Sequence, residues 1–155
     1  MGSSPAERFT DFVEGGGARI HQGLMAALGP EAGAEAAAEA LAYGWEHWDR
    51  IEAMDNPAGY LYRVGHNQGR RSLRRPVFPA GPEPVDSTPW VEPGLPDAVA
   101  RLSERQRVVT LLVYGGHWTL AEVAELLDLD RGTVKKHADR GLVKLREALE
   151  VTLDA

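Results

Sequence analysis

The chain has no cysteine among its 155 residues. That excludes disulfides, thiolate metal sites and cysteine nucleophiles. No apolar run approaches the ~18 residues of a membrane span, so membrane insertion is not expected. The N-terminus lacks a basic segment followed by an apolar stretch; no secretory signal is read, and the cytoplasm is the expected location. Strand patterning is missing throughout. The histidines His21, His47, His66, His117 and His137 are scattered without ligand spacing such as H-x-x-x-H, so neither a metal nor a cofactor is expected. Gly15-Gly16-Gly17 lacks the Lys-Ser/Thr that would follow in a phosphate loop, and no Ser/His/Asp order suggests a triad. The chain is therefore read as a non-enzyme. Cations are outnumbered, 17 against 23 acids for a net charge of -6, which argues against indiscriminate polyanion binding.

What is present is unevenly placed. Seven of the ten prolines fall between Pro76 and Pro96, where regular helix is ruled out. This stretch reads as an extended linker; its Val77, Phe78, Trp90 and Val91 offer apolar groups that a surface could accept. On either side the apolar period is helical. Before the linker, a segment from Phe9 through Leu28 is interrupted by the triple glycine, so a bend or two short helices is expected there. Glu31 to Trp48 is an alanine-rich helix. Asn56-Pro57 caps a further helix running to Arg75, with Tyr60, Leu61, Val64 and Leu73 inward. After the linker come a short helix from Pro96 to Leu102, then one capped by Ser103 and ended by Gly115-Gly116. The expected fold is all-α, with two small helical domains, 1–75 and 97–155, joined by the proline-rich linker 76–96.

Thr119 to Arg146 carries the sharpest signal. Leu120, Val123, Ala124 and Leu127 recur at helical spacing, as do Val134, Ala138, Leu142, Leu145 and Leu149. Between them Asp128-Leu129-Asp130 forms a tight turn, with Leu129 plugging the angle and Asp130 capping the second helix. That helix holds six cations and one acid between Arg131 and Arg146. A cationic second helix in a helix-turn-helix is the geometry that enters a major groove. A solvated basic face is the competing reading. Arg131, Thr133, Lys135 and Lys136 open the helix, where base contacts are made; Arg140 and Lys144 lie further along, where phosphates are met. His137 fits either a DNA contact or packing.

A second cationic tract closes the first domain. Arg63, Arg70, Arg71, Arg74 and Arg75 follow one another with no acid between Leu61 and Arg75, and Asn67 sits among them. Tyr60 and Tyr62 flank the start. Arginines interleaved with aromatics suit single-stranded or opened nucleic acid. Compensation of a helix C-terminus by cations is the alternative.

With these residues in view, the sequence resembles a bacterial RNA polymerase sigma factor of the extracytoplasmic-function (ECF) class. Residues 45–51 and 56–75 resemble the family's second conserved region. Leu95-Pro96-Asp97-Ala98, Leu102 to Arg107, Ala121 to Leu127 and Gly132 to Lys135 resemble the fourth. The resemblance implies that residues 1–75 dock on the polymerase clamp and open the minus-ten element through Arg63, Asn67, Arg70, Arg71 and Arg74. It implies that residues 97–155 read the minus-thirty-five element through Arg131, Thr133, Lys135, Lys136, Arg140 and Lys144. Core RNA polymerase and promoter DNA are the implied partners. An anti-sigma factor is a family expectation to which no residue here points. Polymerase contacts fall by resemblance on Glu35, Glu39, Leu41 and Trp45. Family members carry an Asp-Leu-Val-Gln-Glu-like stretch where this chain has Glu35-Ala36-Ala37-Ala38-Glu39. Lost apolar contact at about 25 cal/mol per Å² predicts weaker polymerase binding. Two alternatives stay open: a stand-alone helix-turn-helix regulator, and a sigma-like interaction protein without initiation activity.

Overall fold

The computed structural model describes residues 2–72 and 94–154. Residues 73–93, which include Val77, Phe78, Trp90, Val91 and the helix end expected at 73–75, lie outside the described residues. Helix α1, Pro5–Phe12, starts at a reciprocal cap in which the Ser4 hydroxyl accepts from the Glu7 backbone and the Glu7 carboxylate accepts from that of Ser4. The triple glycine does not interrupt the helical path. Val13–Gly17 form a π turn that leads straight into α2, Ala18–Leu28. Gly29 ends α2 at φ 97°, a conformation open to glycine at no steric cost. Pro30 then opens α3, Pro30–Glu46, whose expected run to Trp48 breaks at His47. Gly33 sets the α2–α3 distance, since a Cβ there would lie 2.3 Å from Met25 Cα. A short α4, Trp48–Ile51, precedes α5, Pro57–Ser72. Asn56 caps α5, its Oδ1 accepting from the Gly59 N–H at 2.9 Å.

The second half holds α6, Leu95–Arg101, and α7, Glu104–Thr110, extended by a π turn over Leu111–Gly115. Then come α8, Leu120–Leu127, and α9, Arg131–Asp154. Thr119 and Glu122 form a second reciprocal cap at the start of α8. At Ser103 only half of such a reciprocal cap forms. Its hydroxyl accepts from the Gln106 backbone, while the Gln106 side chain accepts from Lys144 instead. Asp128 closes α8 in the left-handed region at φ 54°, where aspartate is tolerated, and the Leu129 N–H returns to the Ala124 carbonyl. Among the described residues there is no strand, and no helix is long and apolar enough to cross a membrane.

One apolar core crosses from the first half to the second. Ile20 and Leu24 of α2 and Leu61 of α5 belong to the same cluster as Val108, Val109, Val123, Leu126 and Val134. A smaller cluster joins Ala98, Val99 and Leu102 to Leu145. Leu126 is not on the inward face that the sequence period marks, yet it is wholly buried. It points toward α2, within 3.0 Å of where a Cβ on Gly23 would stand; α8 is thus covered on two sides rather than one.

Two buried arginines tie the halves together. Arg107 of α7 donates from Nε to the Ala26 carbonyl at 2.6 Å and from Nη2 to that of Ala27 at 3.0 Å. These are terminal carbonyls of α2, which lack partners within their own helix and sit at its negative end. Its Nη1 reaches the Leu102 carbonyl at the end of α6. Burial works against the Arg107 charge, and Glu104 works for it. Arg19 of α2 reaches the other way, to the Glu122 carbonyl at 2.7 Å and the Glu125 carboxylate at 3.0 Å. Asn56 donates to the Glu125 carbonyl, and Trp118 to Gln22.

Candidate nucleic-acid interface

The first surface is α9. Asp130 fixes its start: Oδ1 accepts from the Thr133 N–H and Oδ2 from the Thr133 hydroxyl, both at 2.8 Å. These bonds hold the Asp130 carboxyl below the usual carboxylate range. The Thr133 side chain is therefore engaged in the cap. Arg131, Lys135, Lys136 and Arg140 are exposed, and the first three stand in the opening turns, where the helix end itself favours anions. Lys135 lies 3.9 Å from Asp139 in a loose pair one turn on. Lys144 is exposed, but its amine donates to Gln106 at 2.9 Å and so leans on α7. His137 is half-buried with Nδ1 enclosed and unpartnered. Burial first, then Arg105 and Arg140, draw its pKa down. That environment favours packing over a charged DNA contact.

The second surface is the exposed side of α5. Arg63, Asn67, Arg70 and Arg71 are all exposed on it, and Arg74 lies outside the described residues. Beside them stands an aromatic group that sequence reading did not assemble. Arg50 donates to the Tyr43 hydroxyl at 2.8 Å and sits 5.8 Å over the Tyr60 ring. Tyr43 stacks on His47 with ring centres 4.2 Å apart. Tyr43 first, and Arg50 with it, hold the Tyr60 phenol below its ordinary range. Tyr60 keeps partial exposure, as stacking requires. Tyr62, grouped with it in the sequence, is buried against Gly23 of α2. Burial pushes its phenol pKa up. It is an interior residue, unavailable to a base.

The third surface is the outer face of α3. Glu35, Ala38, Glu39, Ala42, Trp45 and Glu46 are exposed at helical spacing, and Leu41 is half-buried beside them. Trp45 is 52% exposed, although its ring rests 5.5 Å from Phe9. The alanines between the two acids divide. Ala36 and Ala37 are buried, and Ala36 offers its carbonyl to a close approach of α5 at Gly65. Only Ala38 faces outward, so the loss of contact area expected from three alanines reduces to one. Among the described residues no group of three or more His, Cys, Asp or Glu is placed to hold a metal ion.

Comparison with known proteins adds to this geometry. Residues 98–147 match the family model described as "Sigma-70, region 4"; that span runs from α6 into α9 and contains the whole turn. No curated protein matches the sequence. A solved structure with a similar fold is the sigma factor RpoE from Bartonella quintana, crystallised with the anti-sigma factor NepR. The TM-score is 0.65 at 16% identity, covering 94% of this chain and 98% of that one. Residues 98–147 are thus similar to a sigma-70 region 4 domain, and the chain shares the fold of that solved structure.

Proposed function

We propose that this chain is a sigma factor of the ECF class, which carries core RNA polymerase to particular promoters and initiates DNA-templated transcription there. The observation that carries the reading is the region 4 match over 98–147, on a helix-turn-helix whose second helix presents Arg131, Lys135, Lys136 and Arg140 to solvent. In this reading residues 97–155 take the minus-thirty-five element in the major groove, with Lys144 freed from Gln106 to meet a phosphate. Residues 1–75 take the minus-ten element. Arg63, Asn67, Arg70, Arg71 and Arg74 track the opened strand, and Tyr60 supplies a stacking face. Residues 76–96 connect the two. Glu35, Glu39, Leu41 and Trp45 face the polymerase, an acidic strip with an aromatic anchor that suits a cationic partner surface.

Polymerase recruitment reconciles promoter binding with a net charge of -6, because the enzyme supplies electrostatic attraction that the chain lacks. The chain brings recognition and strand capture, and the polymerase brings the chemistry. That role places it in the cytoplasm. The likeness to a sigma factor solved with an anti-sigma factor supports a regulatory partner of that kind. The test is transcription in vitro from a promoter library with purified core polymerase. Promoter-specific transcripts that need the added chain are expected. Specific duplex binding by the chain alone, with no transcripts when core is supplied, would instead establish a free-standing regulator.

A further inference from the structure

Arg8, Arg19 and Arg63 of the first half each face a carboxylate, of Glu52, Glu125 and Asp128. Among the described residues Arg50 faces none. Its Nη2 donates to the Tyr43 hydroxyl at 2.8 Å, and its guanidinium stands 5.8 Å over the Tyr60 ring. The acids nearest to it in sequence act elsewhere: Glu52 pairs with Arg8, and Asp49 supports the Arg8 charge too. The Tyr60 phenol first, and that of Tyr43 with it, favour the charged form of Arg50. Arg50 is exposed, so this uncompensated charge stands at the surface.

Its position is also fixed. A free surface arginine must give up rotamer freedom to grip a ligand. Arg50, on α4, is held by Tyr43 of α3 and Tyr60 of α5. Tyr43 is itself stacked on His47, the two rings 25° apart in plane, and His47 Nδ1 lies 3.0 Å from the Tyr43 carbonyl. A staple between helices would be served as well by a carboxylate, which would cancel the charge. Phenols hold the guanidinium without neutralising it. Its planar fork keeps further donors for an acceptor with two oxygens, such as a phosphate.

Location narrows the ligand, given the strand-binding reading of α5 on which this step rests. Arg50 and Arg63 both act on the Tyr60 phenol, and Asn67, Arg70 and Arg71 continue along α5. A strand carries a phosphate on either side of every base, so a base lodged at Tyr60 brings phosphates to the cations around that ring. We propose that Arg50 is a phosphate contact of the strand-binding site: its guanidinium grips a phosphodiester of the opened strand beside the base at Tyr60, and Tyr43, backed by His47, positions it. The site then extends from α5 across α4 to the end of α3.

The test uses the full chain assembled with core polymerase, on forked promoter DNA whose non-template strand is unpaired over the minus-ten element. Each phosphate of that strand is replaced in turn by an uncharged methylphosphonate, and binding is read by fluorescence anisotropy. In the parent, neutralising one phosphate of the unpaired stretch is expected to weaken binding about tenfold. Arg50→Met is expected to weaken binding of unmodified DNA by a similar factor and to make the methylphosphonate at that position cost nothing further. Tyr43→Phe, which keeps the ring and removes the hydroxyl, is expected to weaken binding about threefold and to leave that phosphate sensitive. A mere staple would lower the thermal midpoint of Arg50→Met and leave every phosphate as sensitive as in the parent. That result overturns the proposal, as does coupling of Arg50 only to phosphates of the paired stretch. If Arg50→Met does not fold, Arg50→Lys is scored instead: it keeps the charge without the fork, and the penalty at that phosphate is expected to shrink to about threefold. A full tenfold penalty there overturns the proposal. A parent that binds no forked DNA with core present overturns the functional reading and this proposal with it; a parent that binds while Arg50 is indifferent overturns the proposal alone.

Discussion

Arg107 shows what a single side chain can hide. In the sequence it is one more cation in a run of charged residues opening a helix. In the structure it is 4% exposed and fills the end of α2 from the opposite half of the chain. Replacing it with methionine keeps bulk but strands the buried carbonyls of Ala26, Ala27 and Leu102, so stability should fall by about 1–3 kcal/mol. Urea denaturation checks this, and an unchanged midpoint would mean that water satisfies those carbonyls. Lys136 is the opposite case: exposed, and free of any pairing within the described residues. Lys136→Ala should leave the fold intact and weaken promoter binding by the holoenzyme roughly 5–100-fold if the amine reads a base. Footprinting over the minus-thirty-five region decides, and intact protection with intact sequence preference removes Lys136 from the site.

At the scale of the element, caps are the most legible features. Asn56-Pro57, Ser103 and Asp130 start the helices expected of them, because a cap is a local bond between residues three apart. What no local rule contains is the second coverage of α8 and α5. Leu126 is interior because α2 of the other half lies on it, and Tyr62 because α2 packs on it too, and a single helix's period cannot announce a distant neighbour. The aromatic group at Tyr43, Arg50 and Tyr60 escapes sequence reading for the same reason, its members coming from three helices or their flanks. Two predictions belong here. Asp130, held below its ordinary pKa by Thr133, contributes cap stability that is present above the unfolded value near 3.9 and lost as pH falls through the lower folded value. Hydrogen exchange at the start of α9 should therefore accelerate in strong acid before the core opens, and Asp130→Asn should flatten that dependence. Gly33→Ala puts a Cβ onto the α2 backbone. It should cost about 1–3 kcal/mol, seen as a lower thermal midpoint; a midpoint within error of the parent would show that α2 and α3 separate freely.

For the whole molecule, the proposed function asks three surfaces on one small body to serve one enzyme and one promoter. The acidic strip on α3 is exposed, so a cationic partner can engage it without rearrangement of the helices. Glu35→Lys with Glu39→Lys should weaken core binding about tenfold and reduce its sensitivity to salt, measured by fluorescence anisotropy at two ionic strengths. Equal affinity would place the polymerase contact elsewhere. The π turn at Val13–Gly17 bears on the same strip. Such a turn takes up about one residue more than a regular helical turn, and each residue advances a regular helix by about 100°. Were the same five residues wound as plain α-helix, α1 would swing by about that angle. Phe9 and Phe12 would leave Trp48, whose ring they now approach within 5.3 and 4.9 Å. Trp45, standing in the strip itself, would lose the ring it rests on. The wide turn thus works as a slack link: it takes up the surplus residue and keeps the amino-terminal rings in mesh with the tryptophans.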